Sequence, residues 1–233
     1  MPAFDSRPHG LLMSEITADG KLTLRRGASS KILTRHMDRE AEALLHRSRA
    51  ECDAIMVGSN TVRIDNPFLT VRMAAGKSPL RVIPNSMADL PLDANVFGPD
   101  APTLVAVTAA APAERLGALR QRGIEVLVAG EGQVDLPLLM RRLREDFGVR
   151  RLMVEGGPTL ASRMFAGRLV DEIRLIHLPF IVGGDDTPSL VGGLRAEGEA
   201  DMIRLELTHH YLSGANLVTE YDVHYADLGP GAR

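Results

Sequence analysis

Tryptophan is absent and cysteine occurs once, at Cys52. A lone thiol can neither close an internal disulfide nor supply a multi-thiolate zinc site, and such usage fits a reducing compartment, so the cytoplasm is the expected location. Aromatic residues make up 4% of the chain, which demotes ring stacking as a binding mode. Basic charge is not in excess: 27 Lys and Arg stand against 30 Asp and Glu, a net charge of -3. Nothing there neutralises a nucleic-acid backbone or an anionic membrane surface. No run approaches the ~20 apolar residues of a membrane span, and Met1-Pro2-Ala3-Phe4-Asp5 lacks the charged-then-apolar build of a secretory signal. Nucleic acid and membranes are therefore not expected as partners. Metal signatures are missing too. The 7 histidines include His209-His210, but no His-x-Glu with Cys-x-x-Cys, no His-Glu-x-x-His and no acidic calcium loop accompanies them, so no metal is expected. Gly183-Gly184-Asp185-Asp186 reads as an exposed turn, Cys52 as a small core residue, and no Gly-x-Ser-x-Gly elbow offers a serine nucleophile.

What is present is ordinary globular material, 233 residues of which 45% are hydrophobic and 24% charged, with 22 Gly and 14 Pro to punctuate short elements. The expectation is one domain over 1–233 with its core at about 10–225. Short apolar runs alternate with helical periodicity, the pattern of an α/β domain with a largely parallel sheet. Asp38 caps a predicted helix whose inner face carries Ala41, Leu44, Leu45, Ser48 and Cys52, with Arg39, Glu42, Arg47 and Arg49 nearer the rim. The runs 54–58, 80–83 and 103–107 read as strands buried on both faces, and 124–128 and 151–155 as further strands. Between the last three, Pro112 and Asp135 open helices that Gly123 and Gly148 close. Past residue 170, polar and apolar residues alternate over 172–177, 204–208 and parts of 217–224, which predicts antiparallel strands. Three segments read as loose: Asp5 to Gly10, Pro84 to Asp100, and the tail from Asp227. None separates two self-sufficient halves.

The sharpest motif is Val154-Glu155-Gly156-Gly157-Pro158-Thr159-Leu160, a strand running through two glycines into a helix start. It is either a tight turn or a place where a phosphate meets the free amides of a first helical turn, with Pro158 preset for helical φ. Glu155 stands at the carboxyl end of a buried strand, where α/β sheets bind ligands, or it ties down a neighbouring loop. After a second strand, Ser59, Asn60 and Thr61 either cap a helix, the favoured reading, or donate to phosphate or ribose. Arg49 and Arg72 suit a cationic clamp on a ligand phosphate, because guanidinium groups match phosphate geometry.

Together these segments resemble the riboflavin-pathway pyrimidine reductases, both the stand-alone archaeal and fungal enzymes and the reductase half of the bacterial bifunctional deaminase-reductase. Carrying the resemblance are Thr17-Ala18-Asp19-Gly20-Lys21, Arg49-Ala50, Met56-Val57-Gly58, Thr61-Val62, Asp65-Asn66-Pro67, Leu69-Thr70-Val71-Arg72, Glu155 to Leu160 and Leu169-Val170-Asp171-Glu172, in that order. It implies a dihydrofolate-reductase-like α/β fold, a mostly parallel central sheet flanked by helices with antiparallel C-terminal strands. It also implies NADPH as cofactor and a homodimer. Thr61, Asp65, Ser86 and the turn Gly156, Gly157, Pro158, Thr159, Leu160 match positions that meet the nicotinamide nucleotide. Ser29, Arg49, Arg72 and Glu155 match positions that meet the phosphorylated substrate, and Glu155 is the candidate to hold or protonate the reacting sugar. Ala18, Asn66 and Asn85 depart from the family's usual residues. No zinc-deaminase signature is present. The implied reaction is NADPH-dependent reduction of a ribosylamino side chain to ribitylamino on a pyrimidine 5′-phosphate, with the deaminated and diamino rings both open. The alternatives are a dihydropterin or dihydrofolate type of reductase and a nucleotide-binding protein without catalysis.

Overall fold

The computed structural model describes residues 6–226, so Met1 to Asp5 and the tail from Asp227 lie outside the described residues. In chain order the elements are β1 (His9–Thr17), α1 (Lys31–Thr34), α2 (Arg39–Ala50), β2 (Ala54–Met56), α3 (Ser59–Asp65), β3 (Leu80–Pro84), β4 (Thr103–Val107), α4 (Ala113–Gln121), β5 (Glu125–Val128), α5 (Leu136–Phe147), β6 (Arg151–Val154), α6 (Pro158–Ala166), β7 (Glu172–Leu178), β8 (Arg204–Ser213) and β9 (Asn216–His224). The strands form one nine-stranded sheet in the order β5-β4-β3-β2-β6-β1-β7-β9-β8. From β5 through β7 all pairings are parallel, and the last two are antiparallel. A mixed α/β fold with a mostly parallel sheet is what the alternation of elements predicts.

Helix termini follow their residues closely. Asp38 accepts from the Ala41 amide at 2.8 Å and Asp135 from the Leu138 amide at 2.9 Å, each satisfying a donor that the helix itself leaves unpaired. Gly148 ends α5 at φ 66, a left-handed conformation that costs glycine little. α5 and α6 pack Leu139, Leu143, Met164 and Phe165 against Leu12, Leu152 and Val154 on one sheet face. On the opposite face α2 covers Leu11, Met13, Met153 and Ile176, with Cys52 buried among them. Burial pushes the Cys52 thiol up to about 11, which leaves it protonated and inert.

Several expectations need correction. The first strand, central between β6 and β7, begins within the segment 5–10 that reads as loose. Gly10 is required there: a Cβ would stand 2.1 Å from the Leu169 carbonyl oxygen. The segment 84–100 is packed, with Ala88, Leu90, Ala94 and Val96 buried. It wraps around the fully buried Arg81, which donates to the carbonyls of Phe68, Asn95, Gly98 and Ala101. Arg49 is not at the rim of its helix but buried. Ser59, Asn60 and Thr61 do not cap α3, because Gly58 takes the cap position and no side chain caps the helix. Finally, β7 is antiparallel only to β9 and runs parallel to β1.

Candidate active site

β1 and β7 pair as far as Thr17 and Leu178, whereas β6 stops at Val154 opposite Leu12 and Met56. The parallel strands therefore end in a step at their carboxyl ends, where open α/β sheets receive ligands. A cavity of ≈ 970 Å³ occupies that step.

One wall consists of two strand-to-helix turns. Gly157, at φ 94, caps α6 just before Pro158, and an added Cβ would lie 3.3 Å from Thr61 Oγ1 and 4.0 Å from the Gly58 amide nitrogen. Gly156 has φ 93 and open space around it. The start of α6 thus faces the start of α3 across a gap that side chains would close. The first-turn amides of Thr159 and Leu160 have no acceptor within the helix. Gly156, Gly157, Pro158, Thr159, Leu160, Thr61 and Asp65 all line the cavity.

The opposite wall is charged. Arg49 Nε donates to Glu155 Oε2 at 2.7 Å, a second guanidinium nitrogen donates to Glu155 Oε1, and the third donates to the Thr70 carbonyl at 3.0 Å. The two side chains are 7% and 15% exposed. Burial disfavours the charge on Arg49, but Glu155 more than offsets it and holds the guanidinium's pKa above its ordinary value. Arg72 also lines the cavity, is exposed, and reaches Thr70 Oγ1 at 2.9 Å. Its backbone amide donates to His46 Nδ1 at 3.1 Å, which assigns the ring proton to Nε2. Burial, then the nearby Arg49 and Arg72, depress the His46 pKa. The two arginines therefore converge on one wall through Thr70, but not as a symmetric clamp. Arg49 is committed to Glu155, and Arg72 retains an outward face.

Other candidates fall differently. Ser29 Oγ donates to Asp65 Oδ1 at 2.5 Å and Ser30 Oγ to Asp65 Oδ2 at 3.0 Å, so Asp65 latches the 23–30 segment across the cavity. Ser86 is not on the cavity wall: its Oγ accepts from the Val134 amide at 3.3 Å and its carbonyl from Thr108. Asp19 turns away to take the Thr17 hydroxyl and the Gly183 and Val182 amides, and these bonds lower its pKa to about 2. Asn66 has a local reason. It closes α3 at φ 41 and accepts two hydrogen bonds from Asn95, one from its backbone amide and one from its Nδ2, and asparagine adopts that left-handed conformation more readily than most residues. Asn85 is buried and donates to Asp89 at 2.7 Å.

Sequence reasoning missed His46 and Glu15, both on the cavity wall. A signal for Glu15 exists: it follows Leu11 and Met13 at period two, an acid in register with a buried apolar face. Among the described residues no group of three or more His, Cys, Asp or Glu is placed to hold a metal ion, and no helix is long and apolar enough to cross a membrane.

Fold and cavity together define a mixed α/β protein with a cleft at its strand ends, set between a glycine-lined helix start and a buried ion-pair wall. The chain belongs to the RibD C-terminal domain family, which it matches over residues 8–219. It is 50% identical over 218 residues to the 2,5-diamino-6-ribosylamino-4(3H)-pyrimidinone 5′-phosphate reductase of Aquifex aeolicus, covering 93% of this chain and 97% of that one. The enzyme of the same name from Methanothermobacter thermautotrophicus is 45% identical, with 93% and 99% covered. Among solved structures, Acinetobacter baumannii RibD superimposes with a TM-score of 0.80 at 21% identity, over 94% of this chain. This chain spans 58% of that longer one. The riboflavin biosynthesis reductase Rib7 of Saccharomyces gives a TM-score of 0.72 at 19% identity, with 96% and 92% covered. The dihydrofolate-reductase-like arrangement implied by the sequence is thus the fold of these neighbours.

Proposed function

We propose that the chain reduces the ribosylamino side chain of 2,5-diamino-6-ribosylamino-4(3H)-pyrimidinone 5′-phosphate to ribitylamino, with NADPH as reductant, in the cytoplasm as a step of riboflavin biosynthesis. Relatives of 50%, 45% and 40% identity that carry that substrate in their name support the diamino ring over the deaminated one. The observation that carries the reading is the meeting, in one cavity, of a glycine cradle at a helix start with a buried guanidinium–carboxylate wall. The cradle fits a nicotinamide dinucleotide: a Cβ at Gly157 would fill the gap, and free first-turn amides with the helix dipole favour a diphosphate there. A reduced nicotinamide, when bound, supplies two electrons and a hydrogen to the sugar carbon attached to nitrogen.

The protein's own residues align and enclose. Thr61 and the 156–160 turn hold the nucleotide, and Ser29 acts through Asp65, which fixes the segment that closes over it. Arg72 takes the substrate phosphate, while Arg49 holds Glu155 against the sugar. Arg26, Lys31 and Arg35 add positive charge at the same cavity, which suits two phosphorylated ligands better than an unphosphorylated pterin. Ser86, off the cavity wall, would serve only a part of the nucleotide that extends beyond it. The chain pairs with a second copy through the outer sheet face of β8 and β9, where Leu205, Leu207, Leu212 and Leu217 are exposed.

The test is consumption of NADPH, followed by absorbance, with the diamino and deaminated phosphates offered separately and NADH as comparator. Turnover of the diamino compound with NADPH is expected. Failure to reduce either pyrimidine overturns the assignment, and reduction of a dihydropterin in its place would establish the alternative.

A further inference from the structure

We propose that Glu15, not Glu155, donates the proton that opens the substrate's sugar ring, a role that rests on the reaction assigned above. Glu15 lies on β1 beyond the last pairing with β6, in register with Leu11 and Met13, and its side chain lines the cavity floor. Its Oε1 is cut off from solvent and has no hydrogen-bond partner among the described residues. Glu155 is the opposite case, since both of its oxygens accept from Arg49. Protonating Glu155 would forfeit a buried, bidentate ion pair, whereas a proton on Glu15 spares an unpaired charge on an oxygen cut off from solvent.

The surroundings act in the same direction. Burial, followed by the Glu155 carboxylate, raises the Glu15 pKa to about 7, and the opposing pull of Arg49 is smaller. α2 also carries Glu42 and the buried His46 to this cavity, the 22–35 segment carries Arg26, Lys31 and Arg35, and β7 places the apolar Ile176 opposite Glu15. Near neutral pH an acid of this strength is poised to give a proton and regain it.

The step balances as follows. The bond between the anomeric carbon and the ring oxygen breaks, and its electron pair stays on oxygen, which takes the Glu15 proton and becomes a hydroxyl. The lone pair of the exocyclic nitrogen forms a C=N bond to the anomeric carbon, leaving a positive nitrogen and an anionic Glu15. Two-electron reduction of that carbon by the reduced nicotinamide returns nitrogen to a neutral amine, and Glu15 is reprotonated from water.

The experiment compares the parent with Glu15→Gln on the natural substrate and on its 4′-deoxy analogue, which cannot close the furanose and so presents the C=N bond already open. Glu15→Gln is expected to lower kcat on the natural substrate by ~100-fold or more, with NADPH affinity by fluorescence titration unchanged and the analogue reduced at the parental rate. In the parent alone, infrared spectroscopy should show a neutral carboxyl band that fades as pH rises through about 7 and is missing from the variant. Equal kcat in the two proteins, equal impairment on both substrates, or no such band would each overturn the proposal. A parent inert toward the natural substrate would overturn the assigned reaction itself, a result separable from a parent that is active and a variant that matches it.

Discussion

At the scale of single residues the site depends on a pairing that sequence separation hides. Arg49 and Glu155 are 106 positions apart, and both are legible as ligand-facing candidates from their motifs. Nothing in the chain says that they face each other, so Arg49 looks like half of a phosphate clamp with Arg72. The buried pair makes a different forecast. Replacing either partner alone leaves a desolvated charge, a loss of about 3 to 5 kcal/mol. Arg49→Met and Glu155→Gln should each lower the urea midpoint markedly, and the double variant should lose much less than the sum. Additivity for Arg49 with Glu155 would contradict the pairing. Arg72 is proposed to meet the substrate phosphate, and a charge-assisted bond contributes about 1.5 to 3 kcal/mol. Arg72→Ala should therefore raise KM for the phosphorylated substrate roughly tenfold or more and leave NADPH affinity unchanged, an outcome that steady-state kinetics and a binding titration check together.

Elements were readable where one local rule governed them. Asp38, Asp135 and Gly148 bound their helices as their chemistry predicts, and the apolar runs 54–58, 80–83 and 103–107 hold buried strands, whereas 124–128 forms the edge strand β5 with Glu125 and Val128 exposed. Reading failed where tertiary contact overrides the local rule. Ser14 and Glu15 break the apolar run of β1, and Glu15 is there because a ligand cavity, not the core, lies beside it. Ser59 to Thr61 have cap chemistry, yet Gly58 caps α3 because its turn lies against the Gly157 turn. That contact yields a test with an internal control. Gly156 and Gly157 share φ near 93 and 94, so a side chain at either brings backbone strain, but only at Gly157 does Cβ enter the gap facing Thr61. Gly156→Ala and Gly157→Val should both melt earlier than the parent. NADPH affinity, measured by calorimetry, should collapse for Gly157→Val and be largely kept for Gly156→Ala. A folded Gly157→Val protein with parental affinity would remove the phosphate from this turn.

Across the whole molecule, two forces set behaviour outside the cavity. The first is acid lability at the far end of the sheet. Glu172 accepts from His9 and Arg151 and sits beside Arg174, and the His9 bond, with these charges, lowers its pKa from 4.5 to about 2. A carboxylate depressed in the folded state contributes stability that is fully present above its unfolded value. That contribution disappears as pH falls from about 4.5 toward about 2. Glu172→Gln should be less stable than the parent at pH 7, and the gap should close on acidification through that window in urea titrations. The second force is exposed apolar surface. A bulge between Leu207 and His209 shifts the register of β8, so that Leu205, Leu207 and Leu212 align with Val223, Tyr221 and Leu217 of β9 on one sheet face. Leu212 is 72% exposed and Leu207 51%, on a strand with an open edge that isolated proteins ordinarily blunt or cover. Covering the area these leucines still expose contributes about 25 cal/mol per Å², which favours a second copy over solvent. Sedimentation should show a dimer for the parent and a monomer with unchanged circular dichroism for the double variant Leu207→Glu, Leu212→Glu. A parent that sediments as a monomer, or a double variant that remains dimeric, would place the subunit contact elsewhere or nowhere.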